Sequence, residues 1–300
     1  MWLRWVFVGL AVSAGCVFVG ARVGERRWHA RSDRLVAALR SREASSSAAY
    51  SEAELASLPP PVARYFRHVL RDGQPVITHA QISWEGQFNM GQPGKDNWRP
   101  FTAVQEFVPA APGFVWNARV AMLPGVPVLV RDSFVDGRAS MRGAVLGLVP
   151  VVDIEGTPTL ASGALQRYLA EAVWLPTALL PSQGVSWTAI DDERARATIT
   201  GSGTTVSLEF RFDAEGRNVS VFAPDRFYDD GRGAPVARPW EATILQFGEH
   251  DDVTVPTEAV VEWRLPSGTF RYWRGRPTRI EYRYGGPRSS SATPSPRTDR

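Results

Sequence analysis

Residues 205–212 read TVSLEFRF, and this octet decides what kind of fold the chain adopts. Successive side chains of a strand point to opposite faces, so Val206, Leu208, Phe210 and Phe212 share one face while Thr205, Ser207, Glu209 and Arg211 share the other. One face is apolar and the other polar, which predicts a half-buried strand. A sheet solvated on one side is characteristically antiparallel, because parallel strands are covered on both faces and read as continuous apolar runs. Gly201-Ser202-Gly203 precedes the octet and Glu215-Gly216 follows it, turn chemistry at hairpin spacing.

The same alternation recurs outward in both directions. Ile82, Trp84 and Phe88 alternate with Ser83, Glu85 and Gln87, and Phe114, Trp116, Ala118 and Val120 with Asn117 and Arg119. Asp136-Gly137 and Ser267-Gly268 mark further turns. Residues 259–265 and 269–284 form a strand pair crowded with Trp263, Phe270, Tyr272, Trp273, Tyr282 and Tyr284. Strands do not alternate with helices, so a parallel sheet is not expected. The pattern predicts one α+β domain over residues 58–284, a large curved antiparallel sheet of about ten strands with a few helices packed in or against it.

The central interruption of the strand pattern is RYLAEAVWLPTALLPS, residues 167–182. A helix is predicted from Ser162, whose hydroxyl can cap the first turn, with Leu165, Tyr168, Leu169 and Ala172 on its buried face. Pro176 has no N–H to donate and biases Leu175 toward extended backbone, so the helix should break near Trp174 and restart as a short turn ending at Pro181. Arg167 and Glu171 stand one turn apart; exposed, such a pair contributes only about 0.3–0.5 kcal/mol. Drawn out of water by Trp174, Leu179 and Leu180, it would have to stay paired. An earlier helix over residues 61–70 presents Val62, Tyr65, Phe66 and Val69, after a capping box at Ser51 and Glu54.

The two ends differ from this domain. Residues 5–21 carry no charge and lie between Arg4 and the group Arg22, Arg26 and Arg27. They predict an uncleaved, single-pass transmembrane helix at the N-terminus, with residues 1–29 as membrane anchor and flanks. Residues 30–57 read as a helical stalk or linker with a stripe at Leu35, Val36 and Leu39. Residues 285–300 collapse into Ser, Pro, Arg and Thr and predict a disordered tail. The heavier positive charge follows the apolar run, which by the positive-inside rule favours a cytoplasmic domain.

Composition narrows the functional classes. Hydrophobic residues make up 44% of the 300, ample for a packed core. The 34 basic residues are dispersed among 31 acidic ones, so there is no concentrated patch for nucleic acid. Cys16 is the only cysteine and falls in the apolar run, which excludes intramolecular disulfides, Cys-type zinc sites and Cys–His catalysis in the domain. The sequence contains no GxSxG, HExxH, GxxxxGK[ST] or GxGxxG. His29, His68, His79 and His250 include no pair at helical ligand spacing. His250, Asp251 and Asp252, like Asp191, Asp192 and Glu193, read as solvated turns rather than metal ligands. No cofactor and no metal are therefore expected. Asp132 interrupts the apolar run 126–135 and needs a partner. With Glu171 it is the candidate for acid–base work, although each can equally satisfy an arginine.

The eleven tryptophans are the strongest positive signal. Aromatics at strand spacing usually form core, but so much apolar sheet surface under so few helices can leave room for an apolar guest. Trp84, Trp116, Trp174 and Trp240, with Arg167, Tyr168, Glu171 and Arg226, are the expected ligand-binding residues.

Residues 59–75 (PPPVARYFRHVLRDGQP), 113–120 (GFVWNARV) and 167–182, with the spaced Trp240, Pro256, Trp263 and Tyr272, resemble a family of uncharacterised bacterial proteins across about residues 58–284. In layout that family is similar to the lipoprotein-carrier, LolA-like group, in which a curved antiparallel sheet cups helices and takes an acyl chain. The resemblance implies a membrane-anchored β-cradle in the bacterial envelope that binds a lipid or another apolar molecule without catalysis, and an extracytoplasmic placement, against the charge rule. The alternatives are an envelope interaction or scaffold domain without ligand, its protein partner unknown, and a hydrolase-like enzyme using Asp132 or Glu171.

Overall fold

The computed structural model describes residues 2–229, 231 and 233–285, with side chains from residue 19 onward. Of the tail expected to be disordered, residues 286–300 lie outside the described residues. The first element, α1 (Trp2–Arg40), is one continuous helix that runs from the apolar segment into the expected stalk. The side chains of residues 5–18, most of the expected anchor, lie outside the described ones, and no helix among the described residues is long and apolar enough to cross a membrane.

A short turn at Glu52–Ser57 is capped by Ser51, whose hydroxyl accepts from the Ala53 N–H. Glu54, the other half of the expected capping box, instead accepts from the Ser182 N–H. The second helix, α2 (Pro60–Val69), starts on prolines whose missing N–H groups would be unpaired anyway. Six strands follow: β1 (Ile77–Asn89), β2 (Trp98–Val108), β3 (Gly113–Leu123), β4 (Val126–Val135), β5 (Arg138–Val145) and β6 (Val149–Glu155). The helix α3 (Pro158–Glu171) and a run of 3-10 turns then lead to β7 (Ser186–Ala189), β8 (Arg194–Gly201), β9 (Thr204–Phe212), β10 (Asn218–Tyr228), β11 (Val236–His250), β12 (Val253–Leu265) and β13 (Gly268–Tyr284).

All thirteen strands join one antiparallel sheet, in the order β6-β5-β4-β3-β2-β1-β13-β12-β11-β10-β9-β8-β7. The expectation of about ten strands missed short edges: β7 has 4 residues, and β6, reading VPVVDIE, is almost wholly exposed and has no alternation to detect. The Asp136-Gly137 turn forms as its dipeptide predicts, with φ of 52° and 75°. The first and last strands, β1 and β13, pair at the centre of the sheet, so its two edges are joined by the segment that carries α3.

This connection forces the sheet to curl. In the strand order β4 and β9 lie eight places apart, about 38 Å on a flat sheet at about 4.8 Å per strand. A helix about 10–12 Å across could not reach both, yet α3 packs against β3, β4 and β5 of one half and β9 and β10 of the other. Bulges accommodate the bend, among them register shifts at Ser83/Trp84, Gly143/Ala144 and Ala223/Arg226. The result is an open cradle with α2 and α3 inside. Val62, Tyr65, Phe66 and Val69 of α2 are buried as expected, and Val206, Leu208, Phe210 and Phe212 of the octet all face inward.

On the convex face lies the C-terminal part of α1. Trp28 packs with Leu129 and Ala144, and Leu39, with Leu35 and Val36, on Val108, Val115 and Val135. Arg40 reaches Glu106 at 2.8 Å, and the His79 ring approaches the same carboxylate at 2.5 Å. Burial alone would raise the Glu106 pKa; the His79 and Arg40 hydrogen bonds prevail and hold it below the ordinary value.

Candidate binding cavity

The helix that shapes the site begins earlier than Ser162. Its N-cap is Thr157, whose hydroxyl accepts from the Leu160 N–H at 3.2 Å, and Pro158 supplies the first turn. A threonine followed by proline meets both requirements of a helix start, so Ser162 falls inside the helix. The other end behaves as expected: α3 stops at Glu171, and the backbone continues as 3-10 turns at Ala172–Trp174, Pro176–Leu179 and Pro181–Gln183.

Between α3 and the concave face is a cavity of about 490 Å³. The residues of α3 that line it are Thr159, Leu160, Gly163, Ala164, Arg167, Ala170 and Glu171, of which four are glycine, alanine or leucine. Five tryptophans of the sheet stand opposite, Trp84, Trp116, Trp240, Trp263 and Trp273, and Trp174 of the turn that follows α3 makes a sixth. Trp84 packs edge to face with two of them, 4.9 Å from Trp174 and 5.9 Å from Trp273. Val128, Val130, Ile244 and Val261 complete the apolar wall. The lining residues that are also exposed, Met90, Met141, Val151, Val152, Thr157, Phe227, Asp229 and Pro235, mark the mouth.

One ionic group is set into this wall. The Arg167 guanidinium donates to Asp132 at 2.7 Å and to Glu171 at 2.8 Å, while Gln105 donates to the other Glu171 oxygen at 2.6 Å. It also lies 5.0 Å over Phe114 and 5.1 Å over Trp116, a cation–π arrangement. Burial depresses the Arg167 pKa, but Glu171 and Asp132 outweigh it and hold the group above its ordinary value. The two candidate acid–base carboxylates thus meet on a single arginine. The anticipated helical pair is real, and Asp132, whose cross-strand partner is Trp116, is its third member.

Of the eight expected ligand-binding residues, seven line the cavity: Trp84, Trp116, Arg167, Glu171, Trp174, Arg226 and Trp240. Tyr168 does not. It points away from the cavity, is 1% exposed and packs against Phe107; a residue next to Arg167 in sequence is turned about 100° from it on a helix. Gln105, Tyr228, Tyr272, Trp273 and Gly163 also line the cavity and were missed. Gln105 was detectable, since it shares a face of β2 with Phe101, Ala103 and Phe107, all buried.

Several polar atoms on the wall have no hydrogen-bond partner among the described residues: Trp84 Nε1, Gln105 Oε1 and Arg226 Nη1. By contrast, Trp174 Nε1 donates to the Pro256 carbonyl at 2.7 Å and Trp240 Nε1 to the Tyr272 hydroxyl at 3.0 Å. Asp251 and Asp252 form the β11–β12 turn with positive φ. The His250 ring meets Tyr282 edge to face and Asp252 pairs with Arg71, and no group of three metal-binding side chains occurs among the described residues.

No curated protein matches the chain. Among solved structures, a LolA superfamily protein from Nitrosomonas europaea is similar at 12% identity and TM-score 0.38, covering 74% of this chain and 92% of that one. A DUF1329 family protein from Desulfovibrio piger is similar at 14% identity and TM-score 0.31, covering 69% and 86%. The model of the family of unknown function DUF6544 matches residues 48–275, and the chain belongs to that family.

Proposed function

We propose that the protein is a membrane-anchored cradle that binds a lipid or another apolar molecule in the cavity beneath α3. The observation that carries this reading is the cavity itself: about 490 Å³, walled by six tryptophans and aliphatic side chains, inside a domain whose other helix packs solidly. Its size and its few convergent polar groups are those of a small-molecule site. The unpartnered Trp84 Nε1 and Gln105 Oε1 are buried groups that a ligand's polar atoms would satisfy. We read Asp132 and Glu171 as framework, because both are engaged with Arg167.

The geometry also favours a mouth that faces a bilayer. The β1–β2, β3–β4, β5–β6 and β10–β11 turns lie at one end of the sheet, as alternation of antiparallel hairpins requires. At that end α1 passes so near the β5–β6 turn that a Cβ on Gly24 would sit 2.6 Å from Leu148. Val19, Leu123, Leu148 and Val149 are exposed there, next to the segment expected to anchor the chain.

Native mass spectrometry of the full-length protein, released from mild detergent, is expected to show a co-purifying lipid adduct that is lost when Gly163→Leu fills the cavity. A clean apo mass, together with no quenching of tryptophan emission by dibromostearate, overturns the reading.

A further inference from the structure

The cavity contains a cation that no described residue neutralises by contact. Arg226 follows the bulge at Ala223/Arg226 in β10, and its guanidinium lies 4.7 Å over the Trp240 ring and 6.0 Å from Trp263. Its Nη1 is closed off from solvent without an acceptor. The carboxylates on the lining are committed elsewhere: Asp132 and Glu171 to Arg167, and Asp229 to the Gly231 N–H at 2.8 Å. Stacking on indole faces leaves the in-plane N–H donors of a guanidinium unused. Burial, foremost, and the neighbouring Arg167 push the Arg226 pKa down, so the charge is held at a cost. What fits such a planar fork is an oxyanion, taken by two parallel hydrogen bonds.

We propose that Arg226 receives the oxyanion headgroup, a carboxylate or a phosphate, of an amphiphile whose apolar tail fills the cavity. This rests on the apolar-ligand reading above. Arg226 adjoins Phe227, 40% exposed at the mouth, whereas Trp84 and Trp174 are 3% and 5% exposed, so the headgroup stays near the opening and the tail runs inward. The competing account is that Arg226 serves only as a distant counter-charge. Asp132, Arg167 and Glu171 together carry a formal charge of −1, which Arg226 balances without touching either carboxylate. On that account the ligand's headgroup charge would not matter.

The experiment uses full-length protein in nanodiscs of unbrominated phosphatidylcholine and reads tryptophan quenching by dibromostearate and by the neutral dibromostearyl alcohol. The Gly163→Leu variant sets the background from tryptophans elsewhere. The expected result is that Arg226→Met weakens stearate binding roughly tenfold, the scale of one charge-assisted hydrogen bond, and weakens alcohol binding much less, the retained alcohol binding also showing the cavity intact. Arg226→Lys should retain part of the preference. Displacement of the probe by an alkyl phosphate or an alkyl carboxylate of equal chain length tells which oxyanion is preferred, and either supports the proposal. If alcohol and stearate bind alike and Arg226→Met changes neither, the headgroup proposal is overturned while the cavity reading stands. If neither probe binds the unaltered protein, both fall.

Discussion

The concave face of the sheet is covered by two helices that do opposite things. On one half, α2 offers Val62, Tyr65, Phe66 and Val69, and these interlock with Trp187, Phe210 and Phe212: Tyr65 lies 5.4 Å from Phe212, and Phe66 6.4 Å from Trp187. By contrast α3, which reaches both halves of the sheet, presents Thr159, Leu160, Gly163, Ala164, Arg167, Ala170 and Glu171 to an equally aromatic wall, and about 490 Å³ stays open. Aromatic content is similar on both sides, so it does not determine where the room lies. The size of the helical side chains does. Large residues at helical spacing reach across and fill the space over a sheet, while small ones stop short of it and leave a void where other contacts keep the helix from closing in.

The void needs a wall that does not collapse, and the Asp132–Arg167–Glu171 group ties β4 to α3 across it. Arg167→Ala is therefore expected to have the largest effect. It leaves two carboxylates, 13% and 20% exposed, without their cation, and should cost about 3 kcal/mol, the low end for breaking a buried ion pair because some water reaches the site. Denaturant unfolding measures it. Adding Asp132→Asn and Glu171→Gln should recover most of the loss; a triple variant as unstable as the single one would show that Arg167 acts by packing over Phe114 and Trp116 instead.

The two halves should also respond differently to the same deletion. Val62→Ala in the packed half removes about 1.6 kcal/mol of transfer free energy, at about 0.8 kcal/mol per methylene, and adds a cost for the new hole, about 2 kcal/mol in all. Val130→Ala deletes the same atoms from a side chain that already borders the open space, so no separate hole forms and the loss should stay below about 1 kcal/mol. Equal losses would mean that the α3 half is as tightly filled as the α2 half.

Much of this was legible in the residues. The alternation in 205–212 specified antiparallel strands, and the prolines of 167–182 specified where α3 breaks, because both depend on local backbone chemistry. That Arg167 pairs with Glu171 follows from helical spacing. Its second partner, Asp132, could be recognised as a charge in need of one, but which cation it meets depends on β4 lying under α3, a contact that the curl of the sheet creates. The short edges β6 and β7 were illegible for the opposite reason: a strand of 4 residues, or one exposed on both faces, has too little pattern to show. Helical phase places Tyr168 on the buried face, where it stands; only its adjacency to Arg167 suggested the cavity side. The cavity could be suspected from the tryptophans, but its location could not, since that is decided by Gly163, Ala164 and Ala170, residues without any signature of function.

Gly163 offers the finest test of the comparison, because there stability and function should move in opposite directions. It lies inside α3, where glycine costs roughly 0.5–1 kcal/mol relative to alanine, and a Cβ built on it would meet nothing within 4 Å. The α2 stripe has no such gap. Gly163→Ala should thus raise stability by up to about 1 kcal/mol, seen as a higher denaturation midpoint with unchanged slope, and Gly163→Leu should remain folded while its side chain occupies the room beneath α3. If the space serves a ligand, the alanine variant binds normally and the leucine variant, folded and no less stable than the parent, loses the lipid adduct. A leucine variant that keeps its ligand would place the guest elsewhere, and an alanine variant that unfolds more readily would show that the helix cannot tolerate a side chain at that point, so that the small stripe of α3 serves packing after all.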